Sequence, residues 1–236
     1  VSGSNFYIEL DYYNVIDLGV IDQIVNAFTT LNNYGLLDNS PIRMSIESML
    51  ASSPGLSNEV NILFLDIKDG YNPSSGSNSY TAGFFDPNDQ ILGGLGNDSN
   101  IIYLDLFPTD ISMSNIKSLL FTLAHEYQHL LHWNVDVCEG NFDWLDASTI
   151  SYIESVYNCT PSNKWVNEGL SDMIGYLHTG IHRDFTYYTN DMSIGLDSWP
   201  HYNEGISTFS YYSKSALFFH YLYESLGVEL ILDIFS

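Results

Sequence analysis

The spacing of apolar residues changes several times along the chain, and each change predicts an element. Asn5 to Leu10 reads as a short strand. From Ile16, the positions Ile21, Ile24, Val25, Phe28 and Leu31 recur at helical spacing. Ile62 to Leu65 is a short apolar run that suits a buried strand. After a Gly/Ser/Asn-rich turn (70–78), Tyr80 to Phe85 predicts a second such strand, stopped by Asp86-Pro87-Asn88-Asp89, and Ile101 to Leu106 a third. The period then becomes helical again. Ile116, Leu120, Leu123, Tyr127 and Leu130 form one stripe, with Asp110, Ser112 or Ser114 available as an N-cap. Beyond Trp133 the chain reads as loop until Lys164. Trp165 to Leu177 and Ser213 to Leu226 predict two further helices.

Strands and helices come first and mainly helices follow, so the fold class is α+β. No internal repeat divides the chain, and no linker is long enough to separate independent domains. The expectation is one domain over 1–236. An upper α+β lobe (1–133) would carry the 116–130 helix, and a lower helical lobe (134–236) the helix around Glu168. The chain starts without Met or a leader-like segment and stops within apolar sequence at Leu232-Asp233-Ile234-Phe235-Ser236. It therefore reads as a piece of a longer protein.

Composition narrows the partners. The 236 residues include 6 Lys+Arg against 29 Asp+Glu, a net charge of −23, while 45% of residues are hydrophobic. That apolar content can build a core, so disorder is an unsuitable reading. The acidic balance argues against nucleic acid and anionic lipid, and no apolar run reaches the roughly 20 residues that span a bilayer. Low Lys with high Asn, Ser and Tyr suits a secreted or cell-surface protein, with a monomer favoured.

The chemistry concentrates in His125-Glu126-Tyr127-Gln128-His129, inside the apolar-striped helix. Positions i and i+4 share a helix face, so both imidazoles can aim at one point, as a tetrahedral zinc requires. Glu126 projects beside them, placed to reach water rather than the metal. The alternative is that both histidines hydrogen-bond within a core. A catalytic zinc usually takes three protein ligands plus water. His132 shares the face, but at i+7 it stands about 10 Å along the axis from His125, which places it behind the site or on the surface. Glu168, in Trp165-Val166-Asn167-Glu168-Gly169-Leu170-Ser171-Asp172, is the better third donor. Asp172, one turn on, can accept a hydrogen bond from the far nitrogen of a ligating histidine.

HEYQH followed by NEGLSD resembles the gluzincin zinc metallopeptidases. Asn61 to Asp66 together with Ala82-Gly83-Phe84-Phe85 looks most like the hyicolysin family of secreted bacterial metallopeptidases, over about residues 60 to 227. The resemblance implies a zincin (thermolysin-like) catalytic domain, with a mixed twisted sheet and the active-site helix above a mainly helical lobe. It also implies zinc on His125, His129 and Glu168, with Glu126 as general base. Two segments compete for the donor that stabilises the oxyanion. Tyr211-Tyr212-Ser213-Lys214-Ser215 resembles the tyrosine segment of gluzincin aminopeptidases, matching Tyr212. His201-Tyr202-Asn203-Glu204-Gly205 resembles the histidine segment of thermolysin. Tyr212 is preferred, because the apolar helix after it also matches. In proteins of this fold an edge strand pairs with the extended peptide substrate, and Tyr80, Gly83, Phe84 and Phe85 hold that place in strand order. The other reading of that strand is core packing.

Lesser features surround this set. Cys138 and Cys159 could bridge and hold the Glu168 helix near His125 and His129, or stay as buried thiols. Asp86, Asn88, Asp89, Asp98 and Asn100 could offer oxygens to calcium, but their spacing differs from the EF-hand loop and favours turn chemistry. Asn97-Asp98-Ser99 and Asn158-Cys159-Thr160 fit the glycosylation pattern. The expected function is a zinc-dependent endopeptidase acting on extracellular peptides or unfolded proteins. The alternatives are a zinc aminopeptidase, for which the Gly-x-Met-Glu-Asn segment is missing, and a surface or adhesion module in which zinc is structural.

Overall fold

The computed structural model describes residues 3–76, 79–135, 164–190, 192–196, 198–199 and 208–235. Strands β1 (Ser4–Ile8), β2 (Val60–Leu65), β3 (Gly83–Phe85) and β4 (Ile101–Asp105) form a sheet in the order β1-β2-β4-β3. β1, β2 and β4 are parallel, and β3 lies antiparallel to β4 at one edge. The helices are α1 (Leu18–Thr29), α2 (Ile42–Met49), α3 (Ile116–Val135), α4 (Lys164–Thr179), α5 (Thr186–Asn190), α6 (Phe209–Leu226) and α7 (Val228–Phe235). The described residues thus form a mixed α+β fold, and none of their helices is long and apolar enough to cross a membrane.

Local chemistry explains these elements. Asp17 accepts a hydrogen bond from the Gly19 N–H and caps α1, which buries Val20, Ile21, Ile24, Ala27 and Phe28 on one face. In β2, Val60, Ile62 and Phe64 are buried while their neighbours are only partly covered, the period-two pattern of a half-buried strand. α3 differs from both. It packs against β3, β4, α1 and α2 and also against α4, so Leu119, Leu120, Leu123, Ala124, Tyr127, Leu130 and Leu131 are all buried. Each fully buried Leu of this kind contributes about 1.5–3 kcal/mol of transfer free energy.

Two devices fix the direction of α3. Tyr127 Oη donates to Glu47 Oε1 at 2.6 Å, and Arg43 Nε holds the same carboxylate oxygen at 2.8 Å. The Arg43 guanidinium also donates to the carbonyls of Gly3 (2.6 Å) and Asn58 (2.7 Å), tying the helix to the start of β1 and to the approach of β2. On the other side the helices come unusually close. A Cβ on Gly169 would stand 2.3 Å from the Phe219 ring and 2.6 Å from Ser215 Oγ, and one on Gly175 2.7 Å from the Phe121 ring. The absence of side chains there lets α4 seat between α3 and α6.

Several elements differ from the pattern reading. The strand predicted over Tyr80–Phe85 is confined to Gly83–Phe85. The Thr81 N–H is taken by the Asp69 carboxylate at 2.5 Å, and Tyr80 turns out to solvent against the Tyr71 ring. α3 is entered through a 3₁₀ turn, Met113–Asn115, rather than through a side-chain cap, since Ser112 donates its hydroxyl to Asp110 instead. α1 ends at Thr29 and leaves Leu31 exposed, while α6 starts at Phe209, one turn before Ser213. α2 has only two buried apolar residues, Ile42 and Ile46, too few to register as a stripe.

The acids offered as calcium ligands are engaged in turn chemistry, the reading their spacing favoured. Asp86 accepts from the Asn88 N–H at 2.8 Å, and Asp89 accepts from Tyr103 Oη at 2.7 Å and from the Asn97 amide groups at 2.7–2.9 Å. Asp98 accepts from the Gly93 N–H, and the Asn100 oxygen accepts from Gln90. These groups serve as turn and strand anchors, and the metal-competent cluster found among the described residues lies elsewhere. Cys138, Cys159, His201 and the Asn158 sequon lie outside the described residues.

Candidate metal centre

The centre forms where α3 and α4 face one another. His125 and His129, one turn apart on α3, bring their Nε2 atoms to 3.0 Å, with the rings nearly perpendicular. Glu168, in the first half of α4, places Oε2 3.3 Å from His125 Nε2 and 3.5 Å from His129 Nε2. Two atoms bound to one tetrahedral zinc at about 2.0–2.1 Å stand roughly 3.3 Å apart. The three separations match that edge length, so these donors fit the ion. Glu126 belongs to the same cluster, within 4.8 Å of both histidines, but its Oε1 stands 4.0 Å from His125 Nε2, beyond that edge.

The far sides of both imidazoles are engaged. His125 Nδ1 lies 2.9 Å from Asp172 Oδ1, and His129 Nδ1 lies 3.1 Å from Asn167 Oδ1. A donor proton on Nδ1 leaves the Nε2 lone pair for an ion. Asn167 Oδ1 is also 3.1 Å from His132 Nδ1, so His132 is buried behind the centre rather than on the surface. The Ser171 hydroxyl lies within hydrogen-bond reach of Gln128 Oε1 and of the Asn167 carbonyl, its one proton serving either acceptor, and closes the polar layer between the helices.

Electrostatics point the same way. Glu126, Glu168 and Asp172 are 8%, 2% and 3% exposed, a concentration of buried carboxylate that demands a compensating cation. Burial opposes charge on His125, but the close Asp172 and Glu168 carboxylates outweigh it and raise its pKa to about 10. Burial alone would raise Glu168, yet the charge of His129 and the hydrogen bond from His125 hold it well below the usual carboxylate range. For Asp172 the Arg183 guanidinium overcomes burial and keeps the group low. Burial dominates at Glu126 and raises it, although the charges of His125 and His129 act in the other direction.

A cleft of about 610 Å³ opens onto these groups. Gly83, Phe84 and Phe85 from the edge strand line it, together with Thr81 just before that strand, Lys164 and Tyr212. Phe84 is stacked on Tyr103 with centroids 4.4 Å apart, while Phe85 is buried in the core, so β3 combines a packed strand with an edge facing the cleft. Tyr80 stands outside this lining. Burial and the nearby Glu168 charge raise Tyr212 well above the ordinary phenol value, so its hydroxyl keeps its proton.

Four residues join this site without a role assigned to them from the sequence: Asn167, Ser171 and Gln128, which lie within the quoted motifs, and Arg183. Asn167 and Ser171 flank Glu168 at the spacings −1 and +3, and a helical projection of α4 would have placed Ser171 on the Glu168 face. Arg183 lies in the loop after α4, where neither period nor motif points to it.

No family model matches the chain. A curated relative, the neutral metalloprotease ShpI of Staphylococcus hyicus, is 32% identical over 176 residues, covering 70% of this chain and 34% of that protein. The chain thus spans about a third of the length of the curated relative it matches. The resemblance drawn from HEYQH, NEGLSD and the strand motifs agrees with this match, and the chain is a homologue of a neutral metalloprotease with a His-Glu-x-x-His zinc-binding group.

Proposed function

We propose that this chain is the catalytic part of a gluzincin endopeptidase with a thermolysin-like arrangement, an upper lobe over 1–133 and a lower lobe over 134–236. His125, His129 and Glu168 would hold zinc, and extracellular peptides or unfolded proteins would be its substrates. The observation that carries the reading is the 3.0–3.5 Å triangle of Nε2, Nε2 and Oε2 opening into a cleft edged by β3. The homology to a neutral metalloprotease supports it.

Zinc in this position supplies Lewis acidity, polarising a scissile carbonyl and making water more acidic. The chain's own groups do the rest. Glu126, at the cleft and beside the histidines, takes the proton from the attacking water and returns it to the departing amine. Tyr212 donates its hydroxyl to the carbonyl oxygen as negative charge develops there. The edge of β3 away from β4, unpaired among the described residues, offers backbone groups to an extended chain, a mode that reads backbone more than side chains and predicts broad sequence tolerance.

The test is digestion of an unfolded protein and of matched peptides with free and blocked N-termini. The reading expects chelator-sensitive cleavage, restored by zinc, of blocked and free peptides alike. Cleavage of free peptides alone would replace it with an aminopeptidase.

A further inference from the structure

Among the described residues, Arg183 is a permanent cation in contact with a buried carboxylate of the centre, and it reaches two of the site's parts at once. Its Nε and Nη2 donate to Asp172 Oδ2 and Oδ1 at 2.5 and 2.7 Å, a bidentate fork on the carboxylate that faces His125 Nδ1. The same guanidinium lies over the Tyr212 ring, 4.5 Å from its centroid. Asp172 sits on α4 and Tyr212 on α6, while Arg183 comes from the loop between α4 and α5. One planar group therefore spans the elements that carry the histidine's partner and the candidate oxyanion donor.

We propose that Arg183 is a positioning residue that aligns the His125–Asp172 pair and the Tyr212 ring as a unit. The fork neutralises Asp172 and fixes both oxygens, so the oxygen facing His125 has one orientation. The flat face of the guanidinium sets the tilt of the Tyr212 ring, and with it the direction of the hydroxyl. A lysine can supply the charge but neither the fork nor the plane. The Tyr212 half of the proposal rests on the peptidase reading; the His125 half does not.

The experiment compares Arg183→Met and Arg183→Lys in two measurements. In zinc competition with a chelator, Arg183→Met should lose metal about 10- to 100-fold more readily, and Arg183→Lys, which keeps the charge without the fork, should fall between Met and the parent. In peptide cleavage, Arg183→Lys should lower kcat about tenfold with KM unchanged, and adding Tyr212→Phe should lower it no further than Tyr212→Phe does alone. A folded Arg183→Met protein with parental zinc retention overturns the proposal. Should the Met variant fail to fold, parental kcat and KM in Arg183→Lys overturn it. If the parent chain cleaves nothing when loaded with zinc, the peptidase reading fails and the chelator comparison alone decides the role of Arg183.

Discussion

His125 Nδ1 and Asp172 Oδ1 lie 2.9 Å apart across the interface of α3 and α4, so one contact both joins the helices and sets the tautomer of an imidazole. The carboxylate is almost fully buried and held low in pKa by Arg183, which keeps it an acceptor. Asp172→Asn keeps the shape and removes the charge. The expected result is a zinc affinity lowered about tenfold, read by chelator competition, with secondary structure intact.

Close helix approach at Gly169 gives a second outcome. A Cβ there would meet Phe219 at 2.3 Å and Ser215 Oγ at 2.6 Å. Gly169→Ala should therefore destabilise by about 1–3 kcal/mol, despite the better helix propensity of alanine, because α4 and α6 must separate. Thermal denaturation reads this directly. An unchanged melting temperature would show that the helices have slack that the packing does not indicate.

His178 makes stability depend on acid. It is buried at the end of α4, with Nδ1 donating to the Ile174 carbonyl at 2.8 Å, and burial lowers its pKa to about 4. The unfolded chain takes up a proton near pH 6.5 that the folded one refuses, so this contribution is complete above pH 6.5 and disappears as pH falls toward 4. Over that window it amounts to about 3 kcal/mol. Urea unfolding at a series of pH values should give His178→Phe a shallower acid slope than the parent, by about one proton.

Much of the fold was legible because periodic burial leaves a mark on sequence. The α3 stripe from Ile116 to Leu130 and the run Ile62–Leu65 face a core, and both elements form where the spacing places them. What stayed hidden depends on contacts between distant segments. Tyr80 and Thr81 lie outside β3, with the Thr81 N–H bonded to the distant Asp69 carboxylate, and no local pattern around Tyr80 carries that information. Within the site, residues on the two helices could be projected from i, i+4 geometry, so the gathering of His125, Glu126, His129, Glu168 and Asp172 follows from helical spacing plus one assumption, that the helices face. Arg183 could not be reached this way, since a loop residue acquires its role only from where the chain returns. The acidic net charge of −23 proved equally mute about the site, where three buried carboxylates matter for their location rather than their number.

The central claim is that Glu126 performs chemistry beside zinc held by other residues. Metal content and casein digestion, measured side by side for the parent chain and Glu126→Gln, test it most directly. The account predicts one zinc in both proteins and a loss of at least a hundredfold in cleavage by the variant. A Glu126→Gln protein that holds its zinc and digests casein at the parental rate would contradict it.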